Sequence, residues 1–294
     1  MKTIRVVFGI WMVAVAGLLA EVRVGSLHPL MADLVEQVGG ERVEVVNIGR
    51  IGMDVHAFEP TARDVKELAS CQLVVASGKG LERYLDALRD GLGEVPILEV
   101  GQTLPARTLS DGESLAVCCP NHAVGTIDPH WWHDVTIMER AVKVVERELI
   151  RLDPEGKSFY QERSRAYRAE LEELDEWVKL ELTQVPKTQR KLVTAHAAFG
   201  YFCAAYEFTP VFVLGLSGDH GVPAKRLAEE VQKMKDEGVK AVFPEMLINP
   251  KVLKQIAKEA GAEVGKPLVA DGAVPSYVEM MRGNVASIVA ALGS

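Results

Sequence analysis

From Glu155 to about Thr183 the chain reads "EGKSFYQERSRAYRAELEELDEWVKLELT", with no proline and no glycine after Gly156. Tyr160, Tyr167, Leu171, Leu174, Val178 and Leu182 fall on one helical face, and charged side chains fill the others. The spacing predicts a helix of about 28 residues, roughly 40 Å at the standard rise, about the span of a small domain. A helix of that length lies along a surface or acts as a rigid rod between two bodies. Pro186 fits its end.

The flanking sequence favours the rod. Before it, "EVRVGSL", "VEVVNIG", "CQLVVASG" and "VPILEV" read as strands alternating with helical segments, among them "HPLMADLVEQVGG" and "GLERYLDALRDGLG". After it, "RKLVTAH", "TPVFVLGL", "VKAVFPE" and "KPLVAD" alternate with helices in the same way, and "PSYVEMMRGNVASIVAALG" closes the chain as a helix. Strand–helix alternation at this spacing predicts parallel sheets with helical crossovers. The expected fold is α/β: two similar lobes, each a mainly parallel sheet flanked by helices, over residues 21–153 and 186–294, joined by one long rigid helix within 154–185. The order loop histidine, proline, helix, strand occurs in both halves, in "DVHAFEPTARDVKELASCQLVVASG" and "GDHGVPAKRLAEEVQKMKDEGVKAVFPE", which fits two similar lobes.

Residues 1–20 stand apart. Lys2 and Arg5 precede an apolar run from Val6 to about Ala20, after which the chain turns polar. At about 15 residues the run is short of the roughly 20 needed to span a bilayer, and it reads as a secretory signal peptide rather than a retained anchor. No cysteine lies near Ala20 to carry a lipid, so the expectation is a soluble, exported, periplasmic protein. A net charge of −8 and the lack of a Lys/Arg cluster speak against nucleic-acid binding. Four cysteines do not make a disulfide scaffold; Cys71 and Cys203 sit in apolar surroundings, and Cys118 and Cys119 fall in a loop.

In open α/β sheets, ligands bind beyond the carboxyl ends of strands, and four loops there hold metal-type donors. His56, in "GMDVHAFEPTARD", is a ligand or a solvated loop residue; Glu59 either orients it or caps the helix that Thr61 and Asp64 begin. In "DPHWWHDV", Pro129 is expected to keep the approach to His130 extended and Asp134 to cap the next helix. His130 and His133 lack the shared helical face of a chelating pair, so one ligand and one bystander are expected, with Trp131 and Trp132 as packing. His196 ends an apolar strand, and Asp271 ends another before Gly272. Three imidazoles and a carboxylate suit zinc, and manganese or iron as well. Spacing alone does not select these four.

Taken in order, "HAFEPTARDVKEL", "DPHWWHD", "VTAHAAFGYF", "PAKRLAEEVQKMKDEGVKAVFPE" and "SYVEMMRGNVASIVAAL" resemble the substrate-binding proteins of zinc- and manganese-type ABC importers, over nearly the whole mature chain. The resemblance implies a divalent metal held between the lobes by His56, His130, His196 and Asp271, and handed as cargo to an ABC permease, with a monomer as the working form. It places an aliphatic residue where this chain has His133, so His133 is not expected to ligate. His28 and His220 are expected to be solvated or to stand behind the ligands. Only His122 lies where many zinc-type members carry a histidine-rich insertion. His196, rather than a glutamate, favours zinc. The alternative is a zinc-dependent hydrolase on the same donors, with Glu59 or Glu245 as base; a surface adhesin has no dedicated segment to support it.

Overall fold

The structure, a computed structural model, describes residues 22–109, 125–212 and 224–293. The signal-peptide expectation and those on Cys118, Cys119, His122 and His220 lie outside these residues.

The first half begins with strand β1 (Val22–Ser26), helix α1 (Pro29–Gly39) and strand β2 (Val43–Asn47). Helix α2 (Ala62–Leu68), β3 (Leu73–Ala76), α3 (Leu85–Leu92) and β4 (Ile97–Glu99) follow. The strands form one parallel sheet in the order β2-β1-β3-β4, with β1 paired to β2 from Val22↔Val43 to Ser26↔Asn47. The unbroken apolar run of β3, buried throughout, fits a strand covered on both faces. Thr61 and Asp64 make the expected capping box on α2, which leaves the exposed Glu59 no capping role. Helix α3 starts later than its sequence suggests. The buried Glu82 carboxylate turns back to accept from the backbone nitrogens of Ser77 (2.7 Å) and Gly78 (3.0 Å), which shapes the loop ahead of the helix.

Helix α4 (Val135–Leu152) is capped by Asp134, and a 3-10 turn at Pro154–Gly156 leads into α5 (Lys157–Glu181). This is the long helix expected from sequence, 25 residues and so about 38 Å long. Tyr160, Tyr167, Leu171, Leu174, Val178 and Leu182, its predicted apolar face, are all buried.

The second half contains β5 (Lys191–Thr194), α6 (Gly200–Tyr206), β6 (Thr209–Phe212) and α7 (Ala224–Asp236). Then come β7 (Ala241–Val242), α8 (Lys251–Ala260), β8 (Glu263–Val264) and α9 (Tyr277–Leu292). Strands β5 and β6 pair in parallel, as do β7 and β8, and a parallel bridge Thr194↔Phe243 ties the pairs together. "KPLVAD" is not the strand its sequence suggests. It makes one bridge, Glu245↔Leu268, and the Asn284 side chain then takes both backbone groups of Val269, which ends the ladder.

The largest apolar cluster spans both halves. It joins β1 and α1 to Trp131, Trp132, α4 and α5, and continues through Phe199, Phe202, Phe243, Leu268, Tyr277 and Met281. Two smaller clusters fill the outer side of each sheet. Among the described residues no helix is long and apolar enough to cross a membrane.

Candidate metal centre

The four residues singled out in the sequence meet at one point. Ligand-type atoms of His56, His130, His196 and Asp271 all lie within 4.8 Å of one another. The three ring centroids stand 5.2, 5.3 and 5.7 Å apart. His130 and His196 are buried; His56 and Asp271 are partly exposed, which leaves a way in from solvent.

Each residue is placed by a local device. His56 follows an Asx turn in which Asp54 Oδ1 accepts from the nitrogens of His56 (2.9 Å) and Ala57 (3.3 Å). Asp128 Oδ1 accepts from the backbone nitrogen of His130 at 2.9 Å, which bends the approach instead of leaving it extended; His130 has φ −86° and ψ 43° and opens a 3-10 turn, Trp131–His133. His196 lies two residues past β5, and Thr194 Oγ1 donates to its carbonyl at 2.9 Å. Asp271 precedes Gly272, whose φ of 74° favours glycine; a Cβ there would sit 2.9 Å from Leu30 Cγ.

Two of the rings have a fixed proton. His130 Nδ1 donates to Asp128 Oδ1 at 2.8 Å, and His196 Nδ1 donates to Glu245 Oε2. A carboxylate accepts only, so the proton sits on Nδ1 and Nε2 faces the centre. This is the carboxylate–histidine pairing that orients metal-bound imidazoles. Both partners are buried and further anchored. Asp128 Oδ2 takes Arg107 Nη1 at 2.7 Å, and Glu245 Oε1 takes the His196 backbone nitrogen at 2.8 Å. Arg107 lies so close to α6 that a Cβ on Gly200 would come within 1.7 Å of Nη1. Tyr201 completes the clasp, its hydroxyl accepting from Arg107 N at 3.0 Å and donating to Asp128 O at 3.3 Å.

The electrostatics follow from this arrangement. Burial alone would raise the pKa of Asp128 and of Asp271, but hydrogen bonds and neighbouring positive charge outweigh it: His130 and Arg107 hold Asp128 low, and His56, His196 and His130 hold Asp271 low. Burial also disfavours a charged His196, yet Glu245 and Asp271 overcome it and raise its pKa above the ordinary range. His130 stays below that range because burial outweighs Asp128.

The spacing suits a transition metal. His130 Nε2 and His56 Nε2 are 3.2 Å apart. Two nitrogens on a tetrahedral zinc, at about 2.0–2.1 Å each, would be about 3.3 Å apart. Asp271 Oδ1 stands 3.7 Å from His56 Nε2 and 3.9 Å from His130 Nε2, and Oδ2 stands 4.0 Å from His196 Nε2. His196 Nε2 and Asp271 Oδ1 are buried without a hydrogen-bond partner, as expected of atoms reserved for a ligand.

Sequence reasoning missed the supporting residues. Glu245, nominated as a hydrolytic base, is committed to His196 through both oxygens. Parallel pairing brings the end of β5 beside the segment after β7, which "VTAH" and "VFPE" show only once those strands are aligned. Asp128 was more visible, since a carboxylate two residues before a histidine can reach both its backbone and its ring. Nor are Trp132 and His133 simply packing: Trp132 Nε1 (2.8 Å) and His133 Nε2 (2.9 Å) both donate to the carbonyl of Ala270, next to Asp271. His28 is not solvated but fully buried, its ring 4.9 Å from that of Trp132.

The chain is similar to known proteins over most of their length. The manganese-binding lipoprotein MntA of Halalkalibacterium halodurans is 29% identical over 270 residues, 90% of this chain and 86% of its own. The iron-binding protein YfeA of Yersinia pestis is 25% identical, covering 92% of this chain and 86% of its own. The solved periplasmic zinc-binding protein TroA of Treponema pallidum superposes with a TM-score of 0.80 at 27% identity, over 93% of this chain and 100% of its own. A family model matches residues 26–291, from the end of β1 almost to the end of α9, and by that match the chain belongs to the ZnuA family, the periplasmic component A of zinc-uptake complexes.

Proposed function

We propose that the protein is a periplasmic substrate-binding component that captures one divalent transition metal with His56, His130, His196 and Asp271 and delivers it to the permease of an ABC importer. The convergence of three imidazoles and one carboxylate, two of the rings held by buried carboxylates, carries this reading. The metal is the cargo, and no chemical step is needed. His130 and His196 present Nε2 lone pairs once His196 gives up its second proton. Asp271 supplies negative charge, and His56 stands on the partly open side where a hydrated ion arrives.

Zinc is the proposed cargo. Three neutral nitrogens and one carboxylate oxygen make a borderline-soft, four-donor shell that suits zinc better than manganese. The relatives named for manganese, iron and zinc show that metal choice varies within this fold. Zinc also binds most nitrogen sites more tightly than manganese or iron(II), so in-vitro affinity alone does not identify the cargo. The deciding experiment is elemental analysis of protein isolated from its native envelope without added metal. Near-stoichiometric zinc that is lost in His130→Ala is the expected result; manganese or iron in its place overturns the zinc assignment, and no metal at all overturns the reading.

A further inference from the structure

Strands β1 and β5 end alike. Ser26 Oγ donates to the carbonyl of His28 at 2.9 Å, and Thr194 Oγ1 donates to the carbonyl of His196 at 2.9 Å. In each lobe a hydroxyl residue, one spacer and a buried histidine follow in the same order, and each histidine keeps an Nε2 with no hydrogen-bond partner. His28 is therefore the counterpart of His196 in the first lobe. The two differ in what holds Nδ1. At His196 it is the Glu245 carboxylate; at His28 it is the backbone N–H of Leu30, which donates to Nδ1 at 3.1 Å. An N–H donor needs a bare Nδ1, so the neutral His28 ring carries its proton on Nε2. A protonated nitrogen cannot ligate a metal, but it can donate a hydrogen bond.

The acceptor inferred for this donor is Asp271. Leu30, two residues beyond His28, packs against Gly272, and Trp132, against the His28 ring, binds the carbonyl of Ala270. The two neighbours of Asp271 in the chain are thus held by the surroundings of His28. His28 Nε2 is buried without a hydrogen-bond partner, which native proteins avoid unless a ligand or water completes it.

We propose that His28 is a positioning residue for Asp271: its Nε2–H donates, directly or through one water, to the carboxylate of the metal-loaded site, keeping one oxygen off the metal and so favouring a four-coordinate ion such as zinc over manganese. With one oxygen occupied, the three imidazoles and the other oxygen complete a tetrahedral shell. With both oxygens free, the carboxylate can bind through both and build the larger shell that manganese prefers. The inference rests on the ligand assignment made above.

Two substitutions separate this role from helix capping. In His28→Asn the amide oxygen still accepts from Leu30 N, but no donor remains at the Nε2 position. In His28→Gln the amide nitrogen reaches the Nε2 position while the cap is lost. Zinc alone and manganese alone are titrated against a chromophoric chelator, and melting is followed on the metal-free proteins. His28→Asn is expected to melt near the wild type yet lose about tenfold of its zinc-over-manganese preference, in the range typical of outer hydrogen-bond partners. His28→Gln is expected to melt lower yet recover most of that preference. In the wild type, the imidazole nitrogen-15 spectrum is expected to show the His28 proton on Nε2. Unchanged preference in His28→Asn, an equal loss in His28→Gln, or a proton on Nδ1 overturns the proposal. A wild-type protein that binds neither metal overturns the ligand assignment instead, and is distinguished by needing no variant.

Discussion

Asp128 Oδ1 lies 2.8 Å from Nδ1 of His130 and 2.9 Å from its backbone nitrogen, so one carboxylate bends the chain and sets the tautomer of the ring. Asp128→Asn keeps an acceptor but removes the charge that makes His130 a strong donor to metal. It is expected to weaken zinc binding about 10-fold, the lower end for outer-shell partners, whereas His130→Ala weakens it by more than about 100-fold. Chelator competition reads both, and equal losses would contradict this division of roles.

His133 has more to do than its sequence suggests. Its Nε2 shares the Ala270 carbonyl with Trp132, so His133→Ala loosens the residue before Asp271 and opens space beside Phe199, 4.4 Å away between rings. The expected result is a lower melting temperature together with about tenfold weaker zinc binding. His133→Gln, which can restore a donor near the Nε2 position, is expected to recover part of the affinity. Loss of stability with full affinity would leave His133 a packing residue.

If His196 ligates as proposed, protons compete with the metal there, since Glu245 and Asp271 favour its second proton. While the pH is below the raised pKa of this ring, each metal bound displaces about one proton, so log affinity climbs by about one per pH unit and then levels off. Calorimetry in two buffers of different ionisation enthalpy measures that proton directly. Glu245→Gln removes the charge that holds it and is expected to release less than the wild type. Equal proton release in both proteins would disconnect Glu245 from the titration.

The metal-free protein is expected to be sensitive to acid. Burial pushes His28 and His133 down to about 3 from an ordinary value near 6.5. Between those values the unfolded chain binds more protons than the folded one, so stability is lost as pH falls through this window, by about 1.4 kcal/mol per pH unit for each histidine. Glu82, raised to about 7 chiefly by burial, acts the other way above its ordinary 4.5 and offsets part of the slope. Comparison with variants is therefore the test: in urea unfolding from pH 7 to pH 5, His28→Asn and His133→Gln should each show a shallower loss than the wild type. Parallel curves would contradict the assignment.

Much of this was legible in the chain because it rests on local rules. The face of α5, the Thr61–Asp64 capping box and the Asp134 cap all depend on residues a few positions apart. The four candidate ligands were legible as strand-end or pre-helix donors, but only their order within a longer pattern selected them. Contacts distant in sequence were not legible. Glu245 meets His196 across 49 residues, Arg107 meets Tyr201 across 94, and His133 meets Ala270 across 137. No periodicity encodes those pairings, which exist only once parallel strands are in register and α9 has docked. His28 shows the same limit. Its cap on α1 is a local feature, whereas its burial beside Trp132 is a property of the assembled fold.

Metal capture should move the lobes little. A wide hinge needs a thin connection, but here the largest apolar cluster runs from β1 through α4 and α5 to Phe243 and α9. The Trp132 and His133 bonds to Ala270 and the Tyr201 hydroxyl's link to Arg107 and Asp128 also cross between the halves. Opening the cleft widely would expose buried apolar surface, at about 25 cal/mol per Å², and would strip those donors of their partners. Loop movement at His56 and Asp271, the partly exposed pair, is the less costly route. Small-angle scattering with and without zinc should therefore give nearly superimposable profiles. A compact chain of this size has a radius of gyration of about 19 Å, and a decrease of more than about 1 Å on loading would overturn the expectation. Amide exchange should slow around residues 54–58 and 270–273, while the buried face of α5 should stay equally protected in both states.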